Sequence, residues 1–287
     1  MTSSLPAAPP TPPPKLICLS GLDPSGGAGL QADIETVAAL GGHAYGLITA
    51  LTVQDSRNVR SVQAVDAALL AAQLDCLLAD AQPQALKFGL LGTAAQLPVI
   101  AAALRPLALP AVCDPVLRAG GGADFDTAGF VPLLRRSLFP WITVLTPNAA
   151  EARRLVPEAR TLDACARRLL DDGVAHVLIT GGDEPDAEVI NRWYTAGAAP
   201  QRFRWPRLAG PFHGSGCTLA AAIACRLAYG DDVGAALESA QAWTQQALAG
   251  AFAIGRGRLI PLRRASITGA VERPDDPVAR VAASSGP

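Results

Sequence analysis

The chain has 287 residues, 50% of them hydrophobic and 17% charged, with a formal net charge of −1. That is enough apolar material for a large core, and the charge balance excludes nucleic-acid binding by bulk electrostatics. Six cysteines (Cys18, Cys76, Cys113, Cys165, Cys217, Cys225) without a CxxC pair exclude a zinc signature and suit reduced thiols in a cytoplasmic protein.

Residues 1–14 carry six prolines and no basic segment, so they read as a disordered leader and not as a signal peptide. Residues 266–287 read as a disordered tail. Between them, residues 15–265 read as a single domain. Apolar stretches such as Leu219–Ala224 are far too short to span a membrane.

In chain order, Leu16–Leu19 is strand-like and Gly21–Gly29 a turn. Leu30–Leu40 has helical spacing through Ile34, Val37 and Ala38. Tyr45–Val53 is extended and Ala67–Ala79 helical; Ala85–Phe88 is a strand and Ala94–Leu104 a helix. Ala111–Cys113 and Ile142–Leu145 are strands, the latter followed by Pro147-Asn148 and a helix to Leu155. A helix is predicted over Leu162–Leu170 and a strand over Val177–Ile179. Ser215–Leu227 and Val233–Phe252 close the chain as helices. Apolar strands without alternation, separated by helices, predict an α/β fold with a mostly parallel sheet covered on both faces. The runs Tyr45–Val53 and Arg202–Trp205 are candidates for a small lid.

In such a sheet, ligands bind beyond the C-terminal ends of the strands, and four loops fall there. Ser20–Gly29 contains glycines that let a ligand approach the backbone, yet it is neither a P-loop nor a GxGxxG fingerprint. Asp33 follows one helical turn later. Asp114-Pro115-Val116 places a carboxylate after a buried strand, where it could hold a cation or stabilise a turn. In Thr146-Pro147-Asn148-Ala149-Ala150-Glu151, the pair Asn148 and Glu151 has capping-box spacing. The same pair could organise water on Mg²⁺ beside nucleotide phosphates.

The fourth loop, His213-Gly214-Ser215-Gly216-Cys217-Thr218, opens an apolar helix and forms an anion hole of unobstructed amides. A transferring phosphoryl group would be stabilised there. Cys217 at this helix start is expected to have a lowered pKa and to act as a base. A serine-hydrolase elbow is excluded, because His213 stands where its first glycine would be.

These four segments, in this order, resemble the ribokinase superfamily, and within it the hydroxymethylpyrimidine/phosphomethylpyrimidine kinases of thiamine biosynthesis. The resemblance runs from Leu16 to Leu262. It is most specific in Asp23-Pro24-Ser25-Gly26-Gly27-Ala28-Gly29-Leu30-Gln31-Ala32-Asp33, in Ile48–Gln54 and in His213–Leu219. It implies a ribokinase-like three-layer sandwich that transfers a phosphoryl group from ATP, with Mg²⁺, to 4-amino-5-hydroxymethyl-2-methylpyrimidine. It places Gly21, Asp33, Gln54, Leu90 and Val116 around the pyrimidine; His213, from its own position, either lines the same substrate pocket or caps the loop. Asn148, Thr180, Gly182, Gly214 and Gly216 fall on the nucleotide side, and Asp114 and Glu151 near the metal. Gly214, Ser215, Gly216 and Cys217 match the catalytic positions. A small-molecule pyrimidine partner follows, with no nucleic acid or membrane, and the family's habit is the homodimer.

The chain departs from the family in three places. Thr180 stands where many relatives have a lysine, the loop after Asp114-Pro115-Val116 reads Leu117-Arg118-Ala119-Gly120-Gly121-Gly122, and Arg204-Trp205-Pro206-Arg207-Leu208 replaces a usual strand. Pyridoxal kinase of the cysteine type is the alternative acceptor reading, and a non-catalytic pyrimidine sensor the alternative of another class.

Overall fold

The computed structural model describes residues 12–117 and 129–264. The expectations for residues 1–11, for the tail and for the loop containing Arg118 lie outside the described residues.

The strands are β1 (Lys15–Leu22), β2 (His43–Gln54), β3 (Val59–Ala64), β4 (Ala85–Phe88), β5 (Ala111–Cys113), β6 (Val144–Leu145), β7 (His176–Ile179), β8 (Glu188–Thr195), β9 (Gln201–Pro206), β10 (Phe252–Ala253) and β11 (Leu259–Ile260). The helices are α1 (Gly29–Ala39), α2 (Ala67–Asp80), α3 (Gln96–Leu104), α4 (Phe130–Ser137), α5 (Ala149–Leu155), α6 (Leu162–Asp171), α7 (Ser215–Ala228) and α8 (Val233–Ala249). Nine strands form one sheet in the order β3-β2-β1-β4-β5-β6-β7-β8-β9. The six from β2 to β7 pair in parallel, and β3, β8 and β9 join antiparallel at the edges.

Strand alternation sorts the core into two layers. Ile17 and Leu19 pack with Leu70, Leu97, Ile100, Leu155 and Leu169 on one face. Leu16 and Cys18 pack with Val37 of α1, Leu219 and Ile223 of α7, and Leu237 of α8 on the other. Burying Leu219, Ile223 and Leu227 of α7 stabilises its placement over β1, β4 and β5 by about 1.5–3 kcal/mol each.

The structure corrects several expectations. The helix expected to reach Phe252 stops at Ala249, where Gly250 takes the C-cap, and the chain turns into the β10–β11 ribbon. Tyr45–Val53 and Arg202–Trp205 do not form a joint lid, because β2 and β9 lie near opposite edges of the sheet. The stretch around Arg204 is a strand after all. Pro206 is its last residue, where a missing ladder N–H is tolerated. Four further elements, β3, α4, β8 and β9, carry mixed polar faces or, in α4, a proline in the first turn. Edge strands exposed to water do not show a buried strand's apolar run.

Candidate active site

After β1 the chain crosses to β2 on one side, whereas β4 lies on the other side of β1. The crevice at this reversal, beyond the strands' C-terminal ends, is where an open parallel sheet binds ligands. The loops after β1, β4, β5, β6 and β7 converge there with the start of α7.

The first loop is organised by Asp23. Its Oδ1 accepts from the Ser25 amide (2.8 Å) and hydroxyl (2.7 Å), and its Oδ2 from the Ala28 amide (2.9 Å). His213 Nε2 lies 2.8 Å from the same Oδ2, tying this loop to the one before α7. Burial opposes ionisation of Asp23, but the His213 and Ser25 contacts outweigh it and hold the carboxyl below its ordinary range. Arg263 adds a second tie. Its buried guanidinium donates to the carbonyls of Gly26 and Gly27, to the Thr218 hydroxyl of α7 (2.8 Å) and to Glu35 (3.1 Å).

Two helix starts face the crevice, and they differ. At α5 the predicted capping box forms: Asn148 Oδ1 accepts from the Glu151 amide (2.8 Å), and Glu151 Oε2 accepts from the Asn148 amide (3.0 Å). Asp183 covers the Ala149 and Ala150 amides, leaving little for an outside anion. At α7 the N-cap is Gly214, with φ 81° and no side-chain cap. A Cβ at Gly214 would strike the Gly27 carbonyl, so only glycine permits this approach. The amides of the first turn of α7 therefore stay available, together with the positive end of the helix dipole.

Cys217 sits on that first turn, and here the sequence expectation fails. Burial pushes its pKa up to about 12; Lys87 pulls it down, but the carboxylates of Asp114 and Asp33 push it up further. The helix N-terminus does not prevail, because burial of the sulfur, with Asp114 and Asp33 beside it, outweighs it. Asp114 is itself pushed up to about 6, by burial against the pull of Lys87. Glu151 is pushed up to about 8 by burial and then by the charge of Asp114.

Lys87 is the residue that sequence reasoning missed. It shares its strand face with Ala85, whose side chain packs in the α1–α7 layer. Its Nζ lies 2.8 Å from Asp33 and 3.0 Å from the Ser20 hydroxyl, and the Ser20 hydroxyl donates to Asp33 at 2.5 Å. Lys87 and Asp33 are both 0% exposed. Burial works against the charge of Lys87, but Asp33, Cys217 and Asp114 hold it protonated. Asp33, expected against the pyrimidine, therefore lies behind the cavity floor as the partner of Lys87. A signal was available: Lys87 is one of only two lysines in the chain and the only charge in Ala85–Phe88. Asp23 and Arg263 had no comparable signal of their roles.

The other predicted residues meet at one cavity of about 230 Å³. Its wall contains Gly21, Gln54, Leu90, Asp114, Val116, Asn148, Glu151, Thr180 and the segment His213 to Cys217. Thr52 and Thr49 fix the far wall by donating to the Leu22 and Leu90 carbonyls. The turn Gln54–Val59 and Arg258 complete the mouth. Gly182 lies outside this wall and lines a second cavity of about 320 Å³ between β8, β9 and α8. The two cavities share Thr180, Phe212, Ser215 and Gly216, so they abut at the start of α7. Arg207 borders the second cavity, but its guanidinium is engaged by the carbonyls of Gly182, Glu184 and Asp186 and does not replace the lysine absent at Thr180. Among the described residues no helix is long and apolar enough to cross a membrane.

Comparison with known proteins agrees with this geometry. The family model described as phosphomethylpyrimidine kinase matches residues 23–262. The hydroxymethylpyrimidine/phosphomethylpyrimidine kinase of Synechococcus elongatus is 39% identical, over 85% of this chain and 95% of the relative. A solved pyridoxal kinase from Staphylococcus aureus, in complex with AMP-PCP and pyridoxal, superposes with a TM-score of 0.80 at 26% identity, covering 88% of this chain and 94% of that one. A phosphomethylpyrimidine kinase from Clostridium difficile superposes with a TM-score of 0.70 at 26% identity, covering 82% and 99%.

Proposed function

This chain belongs to the phosphomethylpyrimidine kinase family, and from that premise we propose that it transfers the γ-phosphoryl group of ATP to the hydroxymethyl oxygen of 4-amino-5-hydroxymethyl-2-methylpyrimidine. The observation that carries this reading is the meeting of two cavities at the uncapped start of α7. A transferase needs an acceptor site and a donor site joined at an anion hole. AMP-PCP, held by the Staphylococcus aureus relative, is an ATP analogue, which supports ATP as donor.

The acceptor ring fits between Gly21, Leu90 and Val116, with the Gln54 amide able to donate to and accept from an aminopyrimidine edge. The nucleotide runs past Asn148 and Thr180 toward Gly182. The amides at Gly214–Cys217 face the transferring phosphoryl group, where charge grows on its oxygens.

Mg²⁺ fits the donor set. It binds through one or two carboxylates, substrate phosphates and retained waters, and Asp114 and Glu151 offer two carboxylates in one wall. One Glu151 oxygen is already held by the Asn148 amide, so Glu151 would act through water. When bound, Mg²⁺ would neutralise phosphate charge. Once the thiol proton has passed to solvent, the Cys217 thiolate would take the hydroxyl proton as the oxygen attacks. Lys87, behind the sulfur, favours that ionisation.

A second acceptor has one observation in its favour: the pyridoxal kinase superposes better than the phosphomethylpyrimidine kinase, at 0.80 against 0.70. ADP formation with Mg²⁺, ATP and each of the pyrimidine, its monophosphate and pyridoxal, run side by side, tests the reading. Turnover is expected to be highest with the pyrimidine alcohol. Higher kcat/KM on pyridoxal would move the assignment to that vitamer, and no ADP with any of the three would leave a binding protein.

A further inference from the structure

Two parts of the site come from opposite ends of the chain and must keep a fixed spacing. The loop after β1 walls the acceptor side of the first cavity through Gly21, Asp23, Ala28 and Gly29. The start of α7 carries the free amides and Cys217. They meet backbone against backbone: Gly27 packs on the His213 ring, and a Cβ on Gly214 would strike the Gly27 carbonyl. The Gly29 amide is hydrogen-bonded to the Cys217 sulfur. One loop therefore borders both the acceptor and the base.

Arg263 spans this junction with a fully buried side chain. Its guanidinium donates to the Gly26 (3.2 Å) and Gly27 carbonyls on the loop side and to the Thr218 hydroxyl (2.8 Å) on the helix side. That hydroxyl in turn donates to the Gly214 carbonyl (2.7 Å). Arg263 is held from behind, because the Leu259 amide donates to Pro211 (3.0 Å) and the Leu262 amide to Ala247 of α8 (2.8 Å). Glu35, partly exposed, balances its charge at 3.1 Å. A planar fork with fixed donor directions allows one spacing between loop and helix. The Asp23 tie is different, since Asp23 also holds the Ser25 and Ala28 amides and its loss would open the loop itself. Without Arg263 each partner keeps its internal bonds: the Gly26 amide still donates to the Asp23 carbonyl (3.0 Å) and the Thr218 amide to the Gly214 carbonyl (2.9 Å). What is lost is their spacing.

Resting on the kinase reading above, we propose that Arg263 is a positioning residue that sets the spacing between the acceptor-side loop and the start of α7, and so directs the transferring phosphoryl group to the acceptor hydroxyl in preference to water. It acts through its neighbours, since it lines neither cavity. In the directed reaction the bond from the γ-phosphorus to the β-phosphate oxygen breaks and ADP leaves. A bond forms to the hydroxymethyl oxygen, whose proton passes to Cys217. In the misdirected reaction the new bond is to a water oxygen, giving ADP, inorganic phosphate and a proton released to solvent. Misplacing an acceptor by about 1 Å costs transfer about 10²-fold, whereas water adjusts to any spacing.

The test uses the full chain with ATP, Mg²⁺ and the pyrimidine alcohol, as wild type, Arg263→Lys and Thr218→Val. Lysine keeps the charge and loses the fork. Valine keeps the shape of Thr218 and gives the guanidinium nothing to donate to. ADP and phosphorylated pyrimidine are both quantified, the excess of ADP being hydrolysis, and calorimetry gives the Kd of ATP. In Arg263→Lys, kcat for transfer should fall by about 10- to 100-fold, with KM for the alcohol and Kd for ATP within about threefold of wild type. The share of ADP matched by phosphorylated pyrimidine should fall as well. Thr218→Val should move the same way by about 3- to 10-fold, and it carries the test if Arg263→Lys does not fold. Transfer, hydrolysis and ATP affinity falling in proportion would show that Arg263 is structural only, and overturn the proposal. So would variants that transfer as fast and as tightly coupled as wild type. A wild type that forms no ADP with any of the three acceptors would instead remove the kinase reading, and the positioning role with it.

Discussion

Replacing Lys87 by methionine keeps the length of the side chain and removes its charge beneath the active site. The Asp33 carboxylate would then remain at 0% exposure, with the Ser20 hydroxyl as its surviving hydrogen-bond partner. Breaking a buried ion pair from one side costs about 3–5 kcal/mol. Full burial of both groups argues for the upper end, and the Ser20 hydrogen bond softens it, so we expect about 4 kcal/mol. At 1.36 kcal/mol per decade that is roughly a thousandfold fall in the folded-to-unfolded ratio. A domain is commonly stable by about 5–15 kcal/mol, so the variant should still fold and be measurable. Urea unfolding of wild type, Lys87→Met, Asp33→Asn and the double variant forms a cycle. The double variant should recover much of the loss, with a coupling of at least about 2 kcal/mol. Single variants whose effects add to within about 0.5 kcal/mol would refute the idea that these two charges depend on each other.

Two further outcomes follow from the charges around the sulfur. Cys217→Ala should lower kcat on the pyrimidine alcohol by about 10²- to 10⁴-fold with little change in ATP binding, and lower it less on the monophosphate, which has no hydroxyl proton to lose; near-normal kcat on the alcohol, read from ADP release, would remove Cys217 as the base. With Asp114 pushed up to about 6 and Glu151 to about 8, ligation of Mg²⁺ requires proton loss, so affinity for Mg²⁺ should increase from pH 6 to pH 8. A raised carboxyl pKa contributes stability that is lost as pH rises through the folded value, so the Mg²⁺-induced increase in Tm should also be larger at pH 8 than at pH 6; a flat or opposite trend would place the metal elsewhere.

Much of the site was legible because its parts are local. Glycines at Gly26, Gly27, Gly29 and Gly214 announce turns that a Cβ would block, and Asn148 with Glu151 announces a capping box three residues long. The parallel sheet was legible for a similar reason, since the doubly covered stretches Leu16–Leu19 of β1 and Ala111–Cys113 of β5 are apolar throughout. The edge strands β8 and β9 were obscure because one-sided exposure erases that signature.

By itself, the sequence determined where the chain turns, which loops follow buried strands and that a glycine turn opens α7. Only the tertiary structure decided what those residues are charged with and what they face. Lys87 reaches Asp33 across 54 positions and Arg258 reaches the Ser56 turn across 202. Such pairings leave no periodicity in the chain. The state of the Cys217 thiol was decided in the same way. A helix start favours a thiolate, but burial beside Asp114 and Asp33 outweighs it. The field at a buried atom sums every charge that the fold brings near it.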